Sequence, residues 1–428
     1  MGGMRSTAGR RRRRASVVAS ALGALLLFGG ALAPAATADT VREREWYLDR
    51  MQAPEMWKVS TGKGITVALL DTGVNPTAPE LTGKVLRGKN FVEPERGAHQ
   101  DKNGHGTGMA MLIAGNGLNG QGVKGLAPDA RVLPLTVFGS SKESGINSVS
   151  ALVEAIRYAA ESDAQIISMS LGFEDYSLES DEREAIQQAV DHAVQRGKLL
   201  LASAGNSGAE GNDAEYPAAS LGVAGIAAVN EMAAAAKFSV SGPQVALAAP
   251  GDEIQVPCGT DNKSYCNSGG TSQATAIASA SAALIWSMHP DWTGNQVLRV
   301  LMNTAARPTE GEVPSRYIGY GTVRPRMAVL GDPGDPGPAD VNPLVAARAA
   351  ASPSPAASAP GGTAPGGTAT RAEQPTAAPA AAGASGGKAI GTGVWITAGA
   401  ALVAAVAVGA ILLLRRRNTA GRGAPFAP

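Results

Sequence analysis

A parallel β-sheet with helices on both faces is the fold class this chain predicts, and three observations predict it. Short runs that are apolar at nearly every position recur through residues 57–330. Between them lie segments whose apolar residues repeat at helical spacing. Asp71 and Asn206 each stand just past the end of such a run. Open α/β sheets gather their ligand sites there, beyond the carboxyl ends of the strands.

The runs are residues 65–70, 132–138, 166–171 and 199–204. None alternates apolar with polar, as a strand with one wet face would, so each is expected to be buried on both sides, as parallel strands are. In residues 148–161, Leu152, Ala155, Ile156 and Ala159 share one helical face. Residues 181–196 do the same with Ile186, Ala189, Val190, Ala193 and Val194, and Gly197 supplies the stop. Residues 109–115 are small and apolar, which places His105 at a helix start. Residues 273–289 hold six alanines before Leu284 and predict a tightly packed central helix. Strands alternating with helices argue for one α/β domain.

The flanks differ in composition. Residues 1–38 have the form of an export signal: Arg10 to Arg14 are the basic region, residues 17–32 the apolar region, and Ala36-Thr-Ala38 a small-residue cleavage site. Residues 39–56 are an N-terminal extension, expected to lie on the α/β domain. Residues 331–388 are Pro, Ala, Gly, Ser and Thr with few large apolar side chains, which predicts a disordered linker. A flexible coil of that length spans about 40–50 Å. Residues 389–414 contain an uncharged apolar stretch, 390–414, and a membrane helix needs roughly 20 such residues. Arg415-Arg-Arg417 follows at once, so residues 415–428 are expected in the cytoplasm and the bulk of the protein outside.

The formal net charge is +1, and the arginine clusters belong to the signal and the membrane edge, which argues against a nucleic-acid partner. The two cysteines, Cys258 and Cys266, lie in the exported portion. Export permits a disulfide between them, two free buried thiols being the other reading, and two cysteines cannot make a four-ligand zinc site. No cofactor or metal is expected, and a structural calcium is left open.

Three segments carry chemistry: Val67-Ala-Leu-Leu-Asp71-Thr-Gly-Val74, Asn103-Gly-His105-Gly-Thr107 and Gly269-Gly-Thr-Ser272-Gln-Ala274. A hydroxyl nucleophile needs a base for its proton, and the base needs a partner that fixes its tautomer. Ser272 opens a helix, where the dipole and free amide N–H groups favour developing negative charge. His99, His192 and His289 lack such surroundings and read as solvated or structural.

Asp before His before Ser, with this local wording, resembles the subtilases, a family of serine proteases whose triad has that chain order. The resemblance covers residues 57–330 and implies a subtilisin-like fold and an endopeptidase acting on peptide or protein substrates. It implies catalysis by Asp71, His105 and Ser272. Asn206, in Leu201-Ala-Ser-Ala-Gly-Asn206, would donate to the oxyanion. Ser170, Leu171 and Gly172 would line the peptide-binding strand, and Gly205 would leave room for the side chain before the scissile bond. The chain departs from the family pattern at Gly108, often a second His, and at Ala276, usually Pro. Neither position holds a catalytic group.

The segment from Arg44 to Gly62, with the export signal, Pro-rich linker and single C-terminal span, is similar to the mycosins. Those are membrane-anchored subtilases of actinobacterial type VII secretion, so this likeness implies secretion-machinery components as partners. The alternative from another class is a subtilase-fold scaffold that stabilises a membrane complex without needing proteolysis.

Overall fold

The computed structural model describes Gly2 and residues 40–139, 149–261 and 263–351. The expected signal, most of the linker, the expected membrane helix and the tail lie outside the described residues. Among the described residues, no helix is long and apolar enough to cross a membrane.

The centre is a seven-stranded sheet. Its strands are β1 (Thr66–Asp71), β2 (Lys89–Asn90), β3 (Arg131–Thr136), β4 (Ile166–Met169), β6 (Leu199–Ser203), β8 (Ala224–Val229) and β9 (Val245–Pro250). They run in the order β2-β3-β1-β4-β6-β8-β9, and every adjacent pair is parallel. Two-stranded ribbons add β5 (Phe173–Glu174) with β7 (Glu215–Tyr216), and β10 (Ile254–Pro257) with β11 (Tyr265–Ser268).

Side chains alternate across a strand, and here both faces find a core. Val67, Leu69, Ile166, Leu199 and Leu201 enter one apolar cluster, while Ala68, Leu70, Ile167, Met169, Leu200 and Ala202 enter another. The first is shared with α4 (His105–Ala114), α7 (Thr271–Trp286) and α8 (Gly294–Thr304). The second is covered by α5 (Val149–Glu161) and α6 (Ser180–Gln195). The helical faces read from the sequence are the ones that pack: Leu152, Ala155, Ile156 and Ala159 of α5, and Ile186, Ala189, Val190 and Ala193 of α6. The α/β class with a mostly parallel sheet is therefore observed.

Three strands stop earlier than their apolar runs. β3 ends at Thr136, β4 at Met169 and β6 at Ser203; past Met169 the chain leaves the sheet, and the Ser170 carbonyl turns to the site described below. The strands β8 and β9, the β10–β11 hairpin and helix α8 were not read from the sequence.

The N-terminal extension forms three short helices, α1 (Val41–Arg44), α2 (Trp46–Arg50) and α3 (Ala53–Met56). Tyr47 and Leu48 are fully buried. The Tyr47 hydroxyl donates to the Lys124 carbonyl at 3.2 Å and the Trp46 indole to the Glu253 carbonyl at 3.3 Å. Glu45 is wholly buried; its Oε1 accepts the Lys124 amide at 2.6 Å and its Oε2 has no partner.

At the other end, the expected linker starts later than Gly331. After α9 (Pro325–Val329), the Arg299 guanidinium of α8 donates to the carbonyls of Pro336 at 2.7 Å and Val341 at 2.9 Å. Thr293 Oγ1 and Asn295 Nδ2 both donate to the Ala339 carbonyl, and Asn342 Nδ2 to that of Gly222. Helix α10 (Pro343–Ala351) follows, with Leu344 against the core. Composition misjudged residues 336–351 because side chains of α8, not a core of the segment's own, satisfy its backbone.

Candidate active site

The parallel registers bring the relevant residues together at the carboxyl edge of the sheet. Leu70 is level with Met169, and Met169 with Ala202. The next residues, Asp71 and Ser170, therefore leave neighbouring strands side by side, and adjacent strands lie only about 4.8 Å apart.

Asp71 ends β1 with 1% exposure. Its Oδ1 accepts the Thr72 amide at 2.7 Å and His105 Nδ1 at 2.7 Å. A carboxylate only accepts, so Nδ1 carries the hydrogen and Nε2 is left with a free lone pair. Burial disfavours charge on the ring, but Asp71, with a further contribution from Asp101, outweighs this and raises the His105 pKa above its usual value. Asp71 Oδ2 is buried without a partner.

His105 is the first residue of α4 and follows Gly104, whose φ of +90° suits glycine. Asp101 builds this corner. Its Oδ1 accepts the Gly104 amide at 2.8 Å and the Thr72 hydroxyl at 2.9 Å, and its Oδ2 accepts the Thr107 amide at 2.8 Å and hydroxyl at 2.6 Å. The sequence reading missed Asp101. The signal was an Asp before a Gly-His helix start, whose carboxylate can take up free first-turn amides.

Ser272 stands in the first turn of α7, 8% exposed. Its hydroxyl donates to the Ser170 carbonyl at 3.3 Å, and the Ser170 hydroxyl donates back to the Ser272 carbonyl at 3.1 Å. The Asp71–His105 contact expected from the motifs is made; a Ser272–His105 hydrogen bond is not. Ser272 instead rests on the strand end beside Asp71.

Asn206 Oδ1 accepts the Thr271 amide at 2.9 Å and the Thr271 hydroxyl at 3.1 Å. Both partners donate here, which fixes Oδ1 as the inward atom and leaves the Nδ2 hydrogens directed away from Thr271. Leu171 is buried, and its carbonyl accepts the Ser203 hydroxyl at 3.0 Å. Gly172 and Gly205 both abut one side chain that the sequence reading missed. A Cβ on Gly172 would overlap Glu215 Oε2, and one on Gly205 would overlap Glu215 Oε1. Burial and the Glu174 carboxylate push the Glu215 pKa up to about 7, against the Asn206 backbone amide, which favours the ionised form. Glu215 left no signal, because only the fold brings β7 under the two glycines.

Cys258 and Cys266 are joined, with Cα atoms 5.1 Å apart, at the loop end of the β10–β11 hairpin. Of the other histidines, His192 bonds Glu161 at 2.7 Å, His99 the Leu86 carbonyl at 2.9 Å, and His289 stacks on Trp292. Among the described residues, no group of three or more His, Cys, Asp or Glu side chains could hold a metal ion.

The model of the subtilase family matches residues 62–321, well over half the chain. The chain belongs to the subtilase family. This subtilase is 39% identical over 242 residues to the major intracellular serine protease of Bacillus subtilis (strain 168), covering 55% of this chain and 72% of that protein. It is 35% identical to thermitase of Thermoactinomyces vulgaris over 243 residues, covering 56% and 82%. Among solved structures it resembles MycP1 from Mycobacterium smegmatis, with a TM-score of 0.61 and 26% identity over 72% of this chain and 89% of that one. It also resembles the MycP3 protease from the type VII (ESX-3) secretion system, with a TM-score of 0.57 and 27% identity over 69% and 90%. The subtilase is thus a serine endopeptidase, structurally close to the mycosins.

Proposed function

We propose that this protein is a membrane-anchored, extracytoplasmic endopeptidase of the mycosin kind, acting on proteins or peptides beside a type VII secretion assembly. Asp71, His105 and Ser272 are its triad. The observation that carries the reading is the 2.7 Å bond from His105 Nδ1 to a buried Asp71, one strand from the carbonyl that holds the Ser272 hydroxyl.

In this reading Ser272 Oγ leaves Ser170, attacks the substrate carbonyl and gives its proton to His105 Nε2. Asp71 holds the ring in the tautomer that can accept it and balances the imidazolium that forms. The oxyanion accepts hydrogen bonds from Asn206 Nδ2, whose oxygen is tied back to Thr271, and from the Ser272 amide at the head of α7. His105 then protonates the leaving amine, and water releases the acyl group by the same steps in reverse. In a subtilisin, loss of the corresponding amide donor costs about 10²–10³-fold in kcat. Support for the setting comes from the MycP1 and MycP3 likenesses, the apolar residues 390–414 and the three arginines that follow.

A fluorophosphonate probe tests the core of the reading. The full chain should be labelled at Ser272, and Ser272→Ala should abolish labelling. Unlabelled protein that is otherwise folded would favour a scaffold role.

A further inference from the structure

The reaction described above leaves the Glu215 carboxylate unused, although it abuts Gly172 and Gly205 beside the site. It reaches that position because β7 pairs with β5 in a register that sets Glu215 opposite Glu174 and Tyr216 opposite Phe173. β5 begins immediately after Gly172. Its two oxygens cover two glycines: Oε2 the Cβ position of Gly172, Oε1 that of Gly205. Gly205 has a φ of +112°, so a side chain there would be strained as well as blocked by Glu215 and Val240.

These two glycines mark a location. Gly172 follows the strand end whose Ser170 carbonyl holds the nucleophile. Gly205 precedes Asn206, whose Nδ2 faces the developing oxyanion. A substrate carbonyl placed between Ser272 and Asn206 sends the side chain of its own residue into the gap between the two glycines. The carboxylate is already at that gap.

Among the described residues its charge has no cationic partner. Its neighbour across the ribbon is Glu174, another carboxylate, which already accepts the Tyr176 hydroxyl at 2.6 Å. Among the described residues, no lysine or arginine forms an ion pair with Glu215; the Asn206 backbone amide is the group that favours its ionised form. A partly buried anion beside a second anion is unfavourable until a cation or donor arrives.

We propose that Glu215 determines specificity, selecting lysine or arginine in the residue immediately before the scissile bond. This rests on the triad reading above. Both side chains are long enough to thread the gap and end in donors matched to a carboxylate, with arginine able to take both oxygens at once. An acidic side chain would place a third carboxylate beside Glu174 and Glu215. A large apolar side chain would strip water from the carboxylate and offer it nothing.

The test compares two peptides identical except for lysine or norleucine at that position, bound to the full chain carrying Ser272→Ala so that neither is cleaved. A charge-assisted hydrogen bond at such a site corresponds to about 10–100-fold in affinity. Lysine should bind more tightly by that factor, and the ratio should fall close to one when Glu215→Gln is added and persist in part with Glu215→Asp. The ratio is taken within each protein, so a variant that folds less completely still reports it. Equal affinities in the parent, a lysine preference that survives Glu215→Gln, or binding of neither peptide would each overturn the assignment. Labelling of Ser272 by fluorophosphonate is read separately: labelling without a lysine preference defeats this inference and leaves the triad standing, while a lysine preference without labelling does the reverse.

Discussion

At the residue scale, the site divides into what a short motif can announce and what only folding assembles. Asp71 and His105 were legible because each needs only local surroundings: a strand end for one, a Gly-flanked helix start for the other. Glu215 acts on residues that other segments bring to it, so its neighbours in sequence say little, whereas Asp101 binds the Gly104 and Thr107 amides close by in the chain and carried a local signal. Replacing Asp71 by Asn keeps the shape but removes the acceptor that fixes the His105 tautomer, and kcat should fall by about 10⁴. The charge of Asp71 also raises the His105 pKa. In the parent enzyme, kcat/KM should therefore rise with pH through a midpoint above the usual histidine value, and any residual Asp71→Asn activity should show a lower midpoint in the same rate profile. Glu45 supplies a second titration. Its burial raises its pKa from 4.5 to about 8, so the folded chain keeps a proton that the unfolded chain gives up across that window. Stability must then decrease as pH rises from 4.5 to about 8. Melting curves across the range should show that decline, and Glu45→Gln should make it shallower. Glu215 shifts in the same direction, so the difference between parent and variant is the quantity to read.

At the element scale, the strands that were read are rich in Val, Ile and Leu, whereas β8 and β9, two of those that were missed, are rich in alanine. β8 is Ala-Gly-Ile-Ala-Ala-Val and β9 is Val-Ala-Leu-Ala-Ala-Pro. Both are buried at every position, yet alanine has little preference for strands, and only pairing, β8 with β6 and β9 with β8, makes them so. The boundary near residue 331 failed for a related reason. Pro and Gly mark a chain that cannot build a core, but they do not show that Arg299 and Asn295 will hold its carbonyls. The β10–β11 hairpin offers a direct measurement. Its disulfide closes a loop of eight residues in sequence separation, worth about 2–3 kcal/mol in the chain-entropy account. The hairpin end also touches the His105 corner, since a Cβ on Gly104 would lie 3.4 Å from the Gly259 carbonyl. Cys258→Ser with Cys266→Ser should lower the denaturation midpoint accordingly, and peptide turnover should fall with it. An unchanged midpoint would mean that the hairpin is held by its pairing alone.

At the scale of the whole molecule, the sheet and the edge that carries the site were readable because two periods, one for strands and one for helices, alternate along the chain. Cellular placement depends on residues outside those described. With residues 390–414 across the membrane and Arg415 to Arg417 in the cytoplasm, an epitope tag after Pro428 should resist protease added to intact cells, whereas residues before the span should be digested. Digestion of the tag from outside would reverse the orientation.

The helix that carries Ser272 has a consequence for descent. All sixteen residues of Thr271–Trp286 are buried, and the small side chains along it leave no space for growth. Enlarging a packed position typically costs about 1–3 kcal/mol, which is a large share of a domain's net stability. Glu215, in contrast, sits on a two-residue strand at the rim. A lineage diverging from this chain is free to change what it cuts well before it is free to change how it cuts.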